Sequence, residues 1–199
     1  QLGPTEGLFI DPSGNLYATD FRDNVVREYP AGKHGNVAPI RSIKGSNTQL
    51  NTPVGMAMDS HGTLYVANVN GASVVGFATG EKGNVAPSVV ISGSKTGLQR
   101  PFALTFDSHG RLLVADESTG VIVFAKGASG NATPDSTITS FVEAAGVVTD
   151  AQDRIYVADF GGGGSISVFA SDASGPATPL RWIIGSKTLL NTPNYLYLH

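Results

Sequence analysis

One stretch of ten residues recurs four times along this 199-residue chain, and each copy sets two short apolar runs around a tight turn. The recurrence, the turn and the apolar runs together predict an all-β fold, a β-propeller of four-stranded antiparallel blades with one blade per repeat. The copies begin at Asp11, Asp59, Asp107 and Asp150, at steps of 48, 48 and 43 residues. In each copy an Asp or Asn closes the second run nine residues after the turn Asp.

Each element of a blade follows from its residues. The first strand is Leu8-Phe9-Ile10, Gly55-Met56-Ala57-Met58, Leu104-Thr105-Phe106 and Val147-Val148. The Asp-x-x-Gly turn follows, because Asp bonds the backbone two residues on and Gly accepts positive φ. Asp153 replaces the Gly in the fourth copy, and Asp tolerates the left-handed conformation. The second strand, Leu64-Tyr65-Val66-Ala67 in the clearest copy, is apolar and β-branched. The third ends on Tyr29, Phe77, Phe124 or Phe169, read as wedges between neighbouring blades. A linker holding Pro39, Pro87, Pro134 or Pro179 leads into the outer strand, where a missing donor is tolerated.

The repeats run over about 1–51, 52–98, 99–141 and 142–191 of a single array. Residues 192–199 match Thr52–Asp59 and predict the innermost strand of a further blade. That pattern leaves three arrangements open: part of a larger ring, assembly with a second copy, or a four-bladed ring with an addition. An open array would expose two apolar blade faces.

Composition narrows the function. Apolar residues make up 41%, enough for a core, and 25 Gly with 11 Pro suit many turns. The net charge is −3, with 13 scattered basic residues, which argues against nucleic-acid or anionic-membrane partners. No cysteine is present, so disulfides and thiol chemistry are excluded. No membrane span or signal peptide is read. Low charge with abundant Gly, Ser, Thr and Asn points to a secreted or cell-surface protein.

The pattern Pro-x-Gly-x-Ala-x-Asp-x-x-Gly-x-Leu-Tyr-Val-Ala-Asn/Asp followed by Val-x-x-Phe, cleanest over Pro53–Asn68, resembles the NHL repeat and its relatives among six-bladed gluconolactonase-like propellers. The linker Gly-Asn-Val-Ala-Pro-Ile is similar to one in long exported microbial repeat proteins. The resemblance implies fold strongly and activity weakly, since propellers host enzymes, lectins, peptide binders and scaffolds. It also implies a metal site at the channel mouth, at the position five before each turn Asp. Here those positions hold Glu6, Val54, Phe102 and Ala145, with Asn194 in the partial fifth unit. Glu6-Gly7-Leu8-Phe9-Ile10-Asp11 matches the enzymes' first-blade pattern, and Pro193-Asn194 matches part of their Asn context. Glu6 and Asn194 are thus candidate Ca²⁺ ligands, against which Val54, Phe102 and Ala145 supply no oxygen. The alternative is a solvated Glu and a turn Asn, with no cofactor.

Asp20, Asn68, Asp116 and Asp159 form a second candidate set, a mouth-side rim for a cation or sugar hydroxyls. Their recurrence in every copy also suits side chains that bond their own loops. His61 and His109 share one turn position on the opposite face and are expected to point apart. Gly93-Ser94-Lys95-Thr96 and Gly185-Ser186-Lys187-Thr188 lack the order and flanking helix of a phosphate loop. No serine-hydrolase or zinc-protease motif is present. Trp182, beside Arg181 on an outer strand, is either an interface anchor or edge packing. The expected function is a non-catalytic binding or scaffold module with protein or self-association as its partner. A metal-dependent lactonase-like hydrolase and a sugar-binding lectin are the alternatives.

Overall fold

The computed structural model describes residues 5–198. Among these residues, sixteen strands form four four-stranded antiparallel sheets, each in sequence order from the channel outward. Blade one holds β1 (Thr5–Ile10), β2 (Leu16–Asp20), β3 (Val25–Tyr29) and β4 (Arg41–Lys44). Blade two holds β5 (Pro53–Met58), β6 (Leu64–Asn68), β7 (Ser73–Phe77) and β8 (Val89–Ser92). Blade three holds β9 (Pro101–Phe106), β10 (Leu112–Asp116), β11 (Gly120–Phe124) and β12 (Ser136–Ile138). Blade four holds β13 (Ala144–Thr149), β14 (Ile155–Asp159), β15 (Ser165–Phe169) and β16 (Arg181–Ile184). The fold is a β-propeller of four blades. No helix among the described residues is long and apolar enough to cross a membrane.

The turns form as their residues dictate. Each turn Asp accepts the amides two and four residues on: Ser13 and Asn15 for Asp11, His61 and Thr63 for Asp59, His109 and Arg111 for Asp107, Gln152 and Arg154 for Asp150. Asp153 takes φ +55° where Gly14, Gly62 and Gly110 take +77° to +83°.

The core lies in the seams between blades. Tyr17, Val26 and Ile43 of blade one pack on Leu64, Val66 and Phe77 of blade two. The seam repeats with Tyr65, Val74 and Ile91 against Leu112, Val114 and Phe124, then with Leu113, Val121 and Ile138 against Ile155, Val157 and Phe169. The third-strand aromatics Phe77, Phe124 and Phe169 are therefore fully buried wedges. Tyr29, with no described blade ahead of it, is only half-buried.

Residues 193–198 run without regular secondary structure. Their backbone nevertheless occupies the next inner position. A Cβ built on Gly7, Gly55 or Gly146 would lie 1.8, 2.2 or 2.6 Å from the carbonyl oxygen of Val54, Phe102 or Asn194 respectively. Asn194 thus stands to blade four as Phe102 stands to blade two.

Candidate functional site

The mouth of the channel is built from the residues that open each inner strand. Val54, Phe102 and Ala145 are buried together with Val69 in one apolar cluster. Tyr195 lies across the channel: its ring sits 5.9 Å from that of Phe102, and its hydroxyl donates to the Glu6 carbonyl at 2.7 Å. Burial, followed by the Glu6 carboxylate, pushes the Tyr195 hydroxyl up to about 12. Asn194 Oδ1 is shielded from solvent and accepts no hydrogen bond. The Glu6 side chain is exposed.

The second candidate set is deeply placed and engaged with its own loops. Asp116 accepts the amides of Gln99 and Arg100 on one oxygen and those of Ser118 and Thr119 on the other. Asp159 does the same with Val142 on one oxygen and Glu143 and Gly161 on the other. Asn68 accepts from Asn51 N and donates to the Gln49 carbonyl and Ser73 Oγ. Each side chain ties the loop entering its blade's inner strand to the loop leaving the second strand. Asp20, in blade one, accepts from Asp23 N and from the Arg27 guanidinium at 3.0 Å.

Burial opposes the charge on Asp20, but the Arg27 hydrogen bond, the Asp23 amide and the Arg27 charge outweigh it and hold the carboxyl below its ordinary value. A carboxyl with a depressed folded pKa contributes stability above its unfolded value of about 4, and loses it as pH falls through the folded value. Thermal melts from pH 6 to pH 2.5 are expected to show a steeper acid loss for the native chain than for Asp20→Asn. Parallel curves would remove this role from Asp20.

On the opposite face lie the turn histidines, which engage different partners, Asp59 for His61 and Asp153 for His109. His61 and His109 line one cleft of about 200 Å³ between blades two and three, with Tyr65, Phe106 and Lys126. His109 also turns toward the next blade, where Asp107, His109 and Asp153 bring ligand-type atoms within 4.8 Å of one another. Asp153 accepts from Ser108 N at 2.9 Å and Ser108 Oγ at 2.6 Å, and lies 3.1 Å from His109 Nδ1. Arg111 donates to Asp107 at 2.6 Å. The Ser108 hydroxyl and amide, then the charges of His109 and Arg111, hold the Asp153 carboxyl below the usual range. The acceptor oxygens are engaged and a guanidinium stands beside them, so the group works as a clasp between blades three and four. The signal for it was the Asp at a turn position where the other copies carry Gly.

Trp182 is 56% exposed, so it does not pack at the edge of its own blade.

No protein-family model matches the chain, and no curated protein matches it in sequence. Among solved structures it is similar to that described as "Streptogramin B lyase structure", with a TM-score of 0.60 at 10% identity over 87% of this chain and 55% of that one. This chain therefore spans about half the length of the structure it matches. At that identity the likeness carries the fold alone: this is a β-propeller chain.

Proposed function

We propose that the chain is a non-catalytic, exported propeller module of the NHL-repeat type, acting in binding or assembly. The observation that carries this reading is the mouth. At three of its positions the oxygen that a cation or a polarised carbonyl needs is replaced by Val54, Phe102 and Ala145, packed on one another. The recurring Asp20, Asn68, Asp116 and Asp159 support it too, because their polar atoms are engaged in loop closure.

One observation favours the alternative, a Ca²⁺-dependent lactonase-like hydrolase at the mouth. Asn194 Oδ1 is a shielded oxygen with an unmet hydrogen bond, a group that a cation would satisfy. Isothermal titration of the chain with CaCl₂, beside an assay of γ- and δ-lactone hydrolysis, separates the two. The module reading expects no saturable heat and no hydrolysis. Saturable binding lost in Glu6→Ala, together with lactone turnover, would establish the hydrolase instead.

A further inference from the structure

Each blade junction carries a clasp on its outer side. Gly83 N donates to the Ser42 carbonyl at 2.8 Å, Gly83 O accepts from Lys44 N at 3.0 Å, and Asn84 Oδ1 accepts from Asn47 N at 2.7 Å. The next junction repeats this. Gly130 N donates to Val90 O at 2.6 Å, Gly130 O accepts from Ser92 N at 3.0 Å, and Asn131 Oδ1 accepts from Lys95 N at 2.7 Å. In the third, Gly175 makes both backbone bonds, to Thr137 O and from Thr139 N. In the first two junctions the receiving half is the end of an outer strand followed by a tight Gly-led turn, and the inserting half is the Gly-Asn linker of the following blade; the third keeps the backbone bonds alone, with Thr139 after its outer strand and Pro176 after Gly175. The Asn side chain covers the turn Gly so closely that a Cβ on Gly45 or Gly93 would meet it at 2.5 or 2.6 Å.

Among the described residues, both halves also stand unmated. Gly185-Ser186-Lys187-Thr188 after β16 has the sequence of Gly93–Thr96 and the same turn. Thr188 Oγ1 donates to Gly185 O at 2.8 Å, as Thr96 Oγ1 does to Gly93 O. Gly185 takes φ +106°, close to the +118° of Gly93, yet a Cβ there would meet nothing within 4 Å. Ile183 is 47% exposed, whereas its counterparts Ile43, Ile91 and Ile138 are buried. At the other end, Gly35-Asn36-Val37-Ala38-Pro39 repeats Gly83–Pro87 residue for residue. It borders a groove of about 890 Å³ lined by Leu8, Leu16, Ala18 and Tyr29. These are the blade-one counterparts of side chains buried in the three built seams.

We infer that the free end of blade four is a preformed receptor for the Gly35–Pro39 linker of a second copy of this chain, joining copies head to tail. This rests on the assembly reading above and names its partner. The occupant follows from continuity with the built junctions: the inserting residue is a Gly at positive φ, +75° at Gly83, +66° at Gly130 and +64° at Gly175, followed by Asn in the first two junctions, and this chain exposes that pair with Gly35 at φ +83°. The joint is heterologous, so each copy contributes one different face. Residues 193–198 lie where β1 of the incoming copy belongs, so docking displaces them.

Sedimentation equilibrium of the 199-residue chain, with Trp182 fluorescence as a second readout, tests this. Mass is expected to rise above 20.6 kDa with concentration, with a blue shift as the single Trp is covered. Ile183→Asp spoils the receptor and Asn36→Ala the linker; both residues are exposed, so unchanged melting curves confirm folding. Each variant alone is expected to associate at least about tenfold more weakly, a loss of about 1.4 kcal/mol. An equimolar mixture restores a 1:1 dimer, because one variant keeps the linker and the other the receptor. Deleting 192–199 tightens association, and a Gly-Asn-Val-Ala-Pro-Ile peptide at millimolar concentration competes with it. A native chain that stays monomeric with unshifted fluorescence, variants that associate as the native chain does, or a mixture that fails to pair would each overturn the inference. None of these outcomes depends on calcium or lactone turnover, so the joint and the module reading fail separately.

Discussion

Asp116→Ala is expected to lower the unfolding free energy by about 4 kcal/mol, a large share of the roughly 5–15 kcal/mol that holds a domain together. The Asp116 side chain is fully buried, and its two oxygens accept four backbone amides, from Gln99, Arg100, Ser118 and Thr119. Thr119 N has a second acceptor in the Asp116 carbonyl at 3.3 Å, so three amides lose their only named partner. Each buried amide left unmet costs about 1–3 kcal/mol, and partial access to water trims the sum. Asp116→Asn recovers about half, because one oxygen becomes a donor facing two donors. Asn68 works in blade two because Gln49 O and Ser73 Oγ receive its amide. In blade three Gly120 stands where Ser73 does, and Gly97 O already accepts from Thr119 Oγ1. Urea unfolding followed by circular dichroism gives both values. A loss below about 1 kcal/mol for the alanine variant would show the loops closing without the carboxylate.

What the sequence made legible was local. The Asp-x-x-Gly turn, the four strands of each blade and the buried third-strand aromatics follow from contacts within about 20 residues, and a repeat prints them several times. The contacts between blades mostly join residues farther apart and leave fainter marks. The recurring linker reads as a place where Pro starts an outer strand. Its larger role lies in the Gly-Asn pair at 35–36, 83–84 and 130–131, since a repeated loop dipeptide with one small and one amide residue signals a specific backbone contact. The His109–Asp153 clasp left one mark, the Asp at a Gly position, but its partner was hidden: equivalent turn positions in one repeat point apart, whereas position 109 of one blade meets position 153, a different turn position, in the next. At the mouth, the apolar character of positions 54, 102 and 145 could be read directly. The reach of Tyr195 across to Glu6 could not, because it joins the two ends of the described array.

The inner ring of strands supplies the second large effect. Gly55→Ala is expected to cost about 3–5 kcal/mol, as overpacking against backbone does when neither side can rotate away. A Cβ at residue 55 would lie 2.2 Å from the Phe102 carbonyl oxygen and 2.9 Å from Ala103 Cα. Those atoms belong to the neighbouring inner strand β9, so relief requires blades two and three to separate at the channel. The loss of helix- or strand-breaking freedom would work the other way, since Gly55 lacks a positive φ and alanine restrains the unfolded chain; that gain is only about 0.4–1 kcal/mol and does not offset the clash. Blade three shows that the requirement belongs to the seam and not to the repeat. Its counterpart residue is Ala103, whose methyl packs with Ala115, Ala144 and Val147 in the third seam. In both blades the extra residue of the irregular pairing lies in the inner strand, but Ala103 keeps its place opposite Ala115, whereas Gly55 falls inside the irregularity between Pro53 and Met56. Ala103→Gly is accordingly expected to cost only about 1 kcal/mol. Melting Gly55→Ala and Ala103→Gly side by side decides the matter. If Gly55→Ala melts as the native chain does, the approach of β5 to β9 is looser than 2.2 Å implies, and the seam between blades two and three is held by its outer clasp and wedge aromatics instead.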